Sequence, residues 1–205
     1  MAVTLTTPNT VLGVFAPKSQ FTRLLSHAVT VLLGTVLIAL AAKVNVPTWP
    51  VPVTLQSFAI AALAAAFGAR IGTATVVAYL LEGAAGLPVF AGASAGLPYL
   101  LGPTGGFLLG FIPMAFIIGR ATDLGASGRV VILFAAMLAA HAVLYALGFL
   151  WLLGLGSSAA WLDQTNLVGS ALARAIQPFV VWDVLKMLFA ALTLTGIWTL
   201  ASKRR

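Results

Sequence analysis

Gly83-Ala84-Ala85-Gly86-Leu87-Pro88-Val89-Phe90-Ala91-Gly92-Ala93-Ser94-Ala95-Gly96 lies between two long apolar segments and is punctuated throughout by glycine and proline. Both residues interrupt helices, so the run predicts irregular backbone. Its flanks are apolar enough to sit in lipid. Non-helical backbone at membrane depth persists only where protein buries it or where it lines a cavity. The run therefore predicts an all-α integral membrane protein with an ordered loop over a ligand pocket.

Composition points the same way. Apolar residues make up 61% of the 205-residue chain and charged residues 7%, against about 25% charged in soluble domains. No polar stretch is long enough for a second domain. Residues 24–201 read as one membrane domain, 1–23 as a cytoplasmic N-terminal tail and 202–205 as a basic cytoplasmic C-terminus. Residues 1–20 are mixed and polar and lack the apolar core of a cleavable signal. There are no cysteines, which excludes disulfides and thiol chemistry. A net charge of +7 could suggest nucleic acid, but the basic residues sit at the ends of apolar segments, where they report topology.

A membrane-crossing helix needs about 20 mostly apolar residues. Six segments come near that, at roughly 24–44, 54–69, 71–86, 104–120, 129–155 and 167–201. The second and third are separated by little more than Gly68, Ala69 and Arg70, which predicts a tight helical hairpin. Pro113 should kink the fourth segment, and Pro178 removes a hydrogen bond in the sixth. With the N-terminus inside, Lys18, Arg23, Arg70, Arg120, Arg129, Lys203, Arg204 and Arg205 are cytoplasmic, as the excess of basic residues inside requires. Lys43 and Arg174 then lie outside, and loops 45–53, 87–103 and 156–166 gather on the outer face. The first is stiffened by Pro47, Pro50 and Pro52, and the third reads as a flexible flap.

Ionisable residues inside a membrane cost about 2.5–3.5 kcal/mol at the helix centre and mark functional sites by default. Asp183 and Lys186 share one helix face at i, i+3 spacing. They either neutralise each other or meet a ligand carrying both polarities. Gln56 opens the second segment beneath the proline loop and either bonds a neighbouring helix or touches ligand. Glu82 reads as reaching the interface, and His141 as a satisfied core histidine. Gly92-Ala93-Ser94-Ala95-Gly96 fits the G-x-S-x-G pattern, so an intramembrane serine hydrolase using Ser94 and His141 is a competing reading. That motif needs a strand–turn–helix context which a helical bundle does not offer. No metal-ligand cluster and no phosphate-binding loop is present, so an energised role would need partners.

Pro52-Val53-Thr54-Leu55-Gln56, Gly86-Leu87-Pro88-Val89-Phe90-Ala91-Gly92, Gly102-Pro103-Thr104-Gly105-Gly106-Phe107-Leu108-Leu109-Gly110-Phe111 and Asp183-Val184-Leu185-Lys186 after Pro178 resemble, in order and spacing, the BioY family. These are the biotin-specific substrate-binding (S) components of energy-coupling factor (ECF) transporters. The resemblance runs from about residue 24 to 200. It implies a six-helix fold in a bacterial-type cell membrane, a high-affinity biotin pocket on the extracellular side, no cofactor and no enzymatic activity. It also implies partnership with a transmembrane coupling protein and two cytoplasmic ATP-binding subunits. In that setting Asp183 would accept from a urea N–H, Gln56 or Ser94 would serve the remaining polar groups, and Lys186 would pair with the ligand carboxylate. Phe90, Trp49 and Tyr99 would cover the apolar body, and Gly92 would let backbone approach. Thr35 and Ala39 form a small-residue stripe that either docks the coupling protein or packs within this chain. A run richer in glycine than Gly92–Gly96 would be expected in the family. The same architecture for another small carboxylate or vitamin is a further alternative.

Overall fold

The computed structural model describes residues 20–156, 159 and 161–202. Most of the expected N-terminal tail, and residues 203–205, lie outside that set. Helix α1 (Gln20–Lys43) leads into two short antiparallel strands, β1 (Asn45–Val46) and β2 (Val53–Thr54), which pair Asn45 with Thr54 and Val46 with Val53. They close the proline loop into a narrow ribbon. Helices α2 (Gln56–Ala84), α3 (Gly96–Leu100), α4 (Gly105–Asp123), α5 (Val130–Gly154), α6 (Leu167–Ile176) and α7 (Val180–Ser202) follow, with one 3-10 turn at Ala126–Gly128.

Among the described residues, five helical segments are long and apolar enough to cross a membrane: Leu24–Lys43, Gln56–Ala84, Gly105–Asp123, Val130–Gly154 and Leu167–Ala201. Six were expected, and the difference lies in α2. That element is broken at Gly68, whose φ of 82° and ψ of 176° are not helical. A straight helix rises about 1.5 Å per residue, which would hold Gln56 and Tyr79 more than 30 Å apart. Their side chains instead hydrogen bond at 2.8 Å, and a Cβ on Gly72 would stand 2.8 Å from the Ala64 Cα. The two limbs of α2 therefore run side by side, as the Gly68–Arg70 punctuation predicts. A positive φ at residue 68 favours glycine, and Asp123 Oδ2 accepts from the Ala69 N–H at 3.2 Å to cap the second limb.

The hairpin forms the centre of the bundle. Ile60, Ala61, Ala64, Val76 and Tyr79 are buried there, with α4 packed along it through Met114, Ala115 and Ile118. Helix α1 is peripheral and turns Leu33, Val36, Leu37 and Leu40 outward. Its inward face is Gly34, Thr35, Ile38 and Ala42. Thr35 is only 2% exposed, and a Cβ on Gly34 would lie 2.6 Å from Thr75 Cγ2. Of the two readings of the Thr35/Ala39 stripe, packing inside the chain is the one seen. Close approach to α2 buries Thr35, and Ala39 is half-buried against the same core.

Candidate ligand-binding site

The site is assembled at the ends of α2, α5 and α7 beneath the loops. Pro178 separates α6 from α7, which places Asp183 in the first turn of α7, where the helix dipole favours a negative charge. Asp183 is 5% exposed. Its Oδ1 pairs with Lys186 Nζ at 2.6 Å and accepts from Ser57 Oγ at 3.0 Å. Its Oδ2 accepts from the Tyr145 hydroxyl at 2.8 Å. Lys186 also donates to the Thr54 carbonyl at 2.9 Å and to Ser57 Oγ at 3.2 Å. Burying two charges is costly unless each is matched and hydrogen bonded; here both conditions are met, and the cluster carries no net charge.

Gln56 continues this polar floor. Its Nε2 donates to the Tyr79 hydroxyl at 2.8 Å, its Oε1 accepts from Thr54 Oγ1 at 3.0 Å, and Tyr79 in turn donates to the Val89 carbonyl at 3.1 Å. Above the floor lies a small cavity of about 50 Å³, walled by Phe107, Leu108, Phe111, Leu144 and Phe179. A second, wider cleft of about 380 Å³ adjoins it, lined by Trp49, Gly92, Ser94, Pro98 and Gly102 among others. Pro52, Ala91, Tyr99 and Thr104 border both, so Tyr99 and Ala91 form the neck between an inner polar chamber and an outer cleft. Burial pushes the Tyr99 phenol above its ordinary range, with a Thr104 hydrogen bond acting in the opposite direction.

The residues singled out from sequence fall into distinct places. Asp183, Lys186 and Gln56 line the inner cavity, Tyr99 the neck, and Trp49, Gly92 and Ser94 the outer cleft. Asp183 and Lys186 were read either as neutralising each other or as meeting a ligand, at opposite ends in the family reading; the structure brings the two side chains into direct contact. Phe90 lines neither cavity. It is fully buried behind the neck, stacked on Tyr99 at 5.2 Å and edge-on to Tyr79 at 5.6 Å. Gly83 opposite has no side chain, and a Cβ there would stand 2.0 Å from the Phe90 ring, so the ring takes that space instead of the pocket. Glu82 is half-buried at the end of α2 and lines neither cavity.

His141 belongs to the floor's underside. Its Nδ1 is 3.0 Å from the Met137 carbonyl and its Nε2 3.9 Å from Asp183 Oδ2. Among the described residues no hydrogen bond joins it to Ser94, whose backbone N–H donates to Ala91 and whose carbonyl accepts from Phe90. The Ser94–His141 hydrolase has no dyad here. In the loop between α5 and α6, Gln164 Nε2 lies 3.1 Å from each of the Gly156, Ala159 and Leu162 carbonyls. The Asp163 carboxylate accepts from the Thr165 hydroxyl and N–H, which lowers its pKa. The described part of the expected flap is thus tied down by its own side chains.

Ser57, Tyr145 and Lys43 were not singled out from sequence as site residues. Tyr145 could have been found, since it lies one helical turn beyond His141 on the same face. Lys43 carried a signal too, as a lone basic residue in the last turn of an apolar helix.

The model of the BioY family matches residues 15–203. The chain belongs to the BioY family. A biotin transporter BioY of Thermotoga maritima is 38% identical over 158 residues, covering 77% of this chain and 87% of the relative. A biotin transporter BioY of Rhizobium etli is 36% identical over 175 residues, covering 80% and 87%. The crystal structure of the S-component for biotin from an ECF-type ABC transporter superposes with a TM-score of 0.72, covering 88% of this chain and 94% of that one at 21% identity. At that identity the likeness is one of fold. Family membership and the apolar helices make this a multi-pass membrane protein.

Proposed function

We propose that this chain is the biotin-capturing S component of an ECF-type uptake transporter, with the inner chamber holding the ligand's urea head. The observation that carries this reading is the neutral, fully hydrogen-bonded Asp183–Lys186 pair at the floor of an apolar cavity. A neutral urea offers N–H donors to Asp183, whose Oδ2 accepts one hydrogen bond, from Tyr145, and a carbonyl acceptor to Lys186, which would turn one of its N–H groups from Thr54 or Ser57 to the ligand. Binding it leaves the buried net charge at zero. Placing a carboxylate against the same pair would leave one uncompensated negative charge in a dry cavity, which is far more costly. The acid tail therefore belongs in the wider outer cleft, beside Ser94 and Trp49. The ring sulfur and chain pass the neck between Tyr99 and Ala91. This moves Lys186 from the tail to the head of the ligand.

The remaining parts of the reading rest on fold and chemistry. We take the two limbs of α2, at 56–67 and 69–84, as the second and third of six helical segments, joined by a short hairpin and each shorter than a full crossing. The bias of basic residues supports cytoplasmic termini and an outward-facing pocket. The sequence carries no phosphate-binding loop, so ATP hydrolysis and the membrane coupling step fall to partner subunits.

A thermal-shift panel of vitamins on the purified full chain tests the assignment. A ligand present at 100 times its Kd stabilises by about 2.7 kcal/mol. Biotin is expected to raise the melting temperature and other vitamins to leave it unchanged. Stabilisation by a different vitamin, or by none, would refute the reading.

A further inference from the structure

At the outer end of α1 the Lys43 ammonium donates to three backbone carbonyls of the glycine/proline loop: Pro88 at 2.6 Å, Gly92 at 2.7 Å and Phe90 at 2.8 Å. An ammonium has three N–H groups and no acceptor, so these three carbonyls take all of its donors. The carbonyls that alternate with these are satisfied from elsewhere. Leu87 accepts from the Val89 N–H, Ala91 from the Ser94 N–H, and Val89 from the Tyr79 hydroxyl. Irregular backbone beside lipid must have its carbonyls paired, and every second carbonyl of this segment is paired by one side chain from another element.

Lys43 borders neither cavity, but the segment it holds does. Ala91 forms part of the neck and Gly92 part of the outer cleft. Phe90 fixes the same segment from inside, and Gly92 takes a left-handed φ of 67° that lets the chain curl around the ammonium. Helix α1 is otherwise a peripheral, lipid-facing element.

We infer that Lys43 is a positioning residue that ties α1 to the roof of the ligand cavity and so controls ligand release. Coupling of this kind is reciprocal: ordering the roof with ligand steadies the outer end of α1, and displacing α1 loosens the roof. The inference rests on the biotin reading above.

The test uses the full chain in lipid nanodiscs, with labelled biotin chased by unlabelled biotin and amide hydrogen exchange followed at residues 40–46 and 87–95. Lys43→Met should release biotin about tenfold faster or more, with a smaller change in association rate. In the unmodified protein biotin should slow exchange in both segments; in Lys43→Met the protection at 40–46 should vanish while the floor residues around Ser57 stay protected. Lys43→Arg keeps the charge, but its planar fork cannot serve three carbonyls around one point, so an intermediate release rate is expected. That variant keeps the test decisive if Lys43→Met does not fold. Wild-type release from both variants, or from Lys43→Arg alone where Lys43→Met is not obtained, would overturn the inference, as would undiminished protection at 40–46 in Lys43→Met. Failure of the unmodified protein to bind biotin would instead overturn the functional reading.

Discussion

Replacing Lys186 by methionine separates the two ways in which the Asp183–Lys186 pair can serve a ligand. The side chain has about the same length but loses its donors to Asp183, the Thr54 carbonyl and Ser57. Asp183 keeps its hydrogen bonds from Ser57 and Tyr145, yet becomes an uncompensated buried charge. Breaking one side of a buried pair costs about 3–5 kcal/mol of stability, so the melting temperature should fall. Loss of a charge-assisted bond to the urea carbonyl removes about 1.5–3 kcal/mol of binding, or about 10- to 150-fold in Kd. With the contact at the head, as proposed, biotin and a biotin amide should weaken by the same factor. Isothermal titration of both ligands against both proteins measures this ratio of ratios directly. Selective loss of free biotin, with the amide unaffected, would show Lys186 pairing with the carboxylate and refute the head-first orientation. The double variant Asp183→Asn/Lys186→Met should regain stability, since no charge is left unpaired, but not biotin affinity. Full recovery of affinity in that protein would show that the pair merely neutralises itself.

Three other expectations concern the frame around the site. Gly83→Ala would place a methyl group 2.0 Å from the Phe90 ring, and overpacking of this kind costs about 1–3 kcal/mol; a lowered melting temperature, restored by adding Phe90→Leu, is expected, and unchanged stability of Gly83→Ala would contradict the packing. The chain has no cysteine, so Leu97→Cys on the outer loop should react with an impermeant thiol reagent in intact cells while Leu124→Cys, 71% exposed beyond α4, should not; the opposite pattern would invert the topology. Ser94 should remain unlabelled by a fluorophosphonate probe, and labelling abolished by His141→Ala would revive the hydrolase.

The hairpin, the irregular roof and the D-x-x-K pair were legible because each follows from local rules. A helix cannot run through Gly68 at positive φ, two unlike charges at i, i+3 share a face, and proline stops a helix wherever it falls. What escaped reading depends on long-range placement. Ser57 reaches Asp183 across 126 positions of sequence, and a serine in an apolar helix is too common to announce a partner. The acceptors that hold Lys43 are main-chain carbonyls, which have no residue identity at all. Phe90 shows the limit from the other side: an aromatic in a pocket-forming loop suggests a wall residue, but the glycine that decides which way its ring turns lies seven residues back, on a different element. The same geometry explains why the charges were assigned to two ends of a ligand. Sequence spacing gives a shared face, not a contact distance. Only the structure shows the contact, with Ser57 touching both side chains, and the proposed head-first orientation rests on that closely paired, neutral floor.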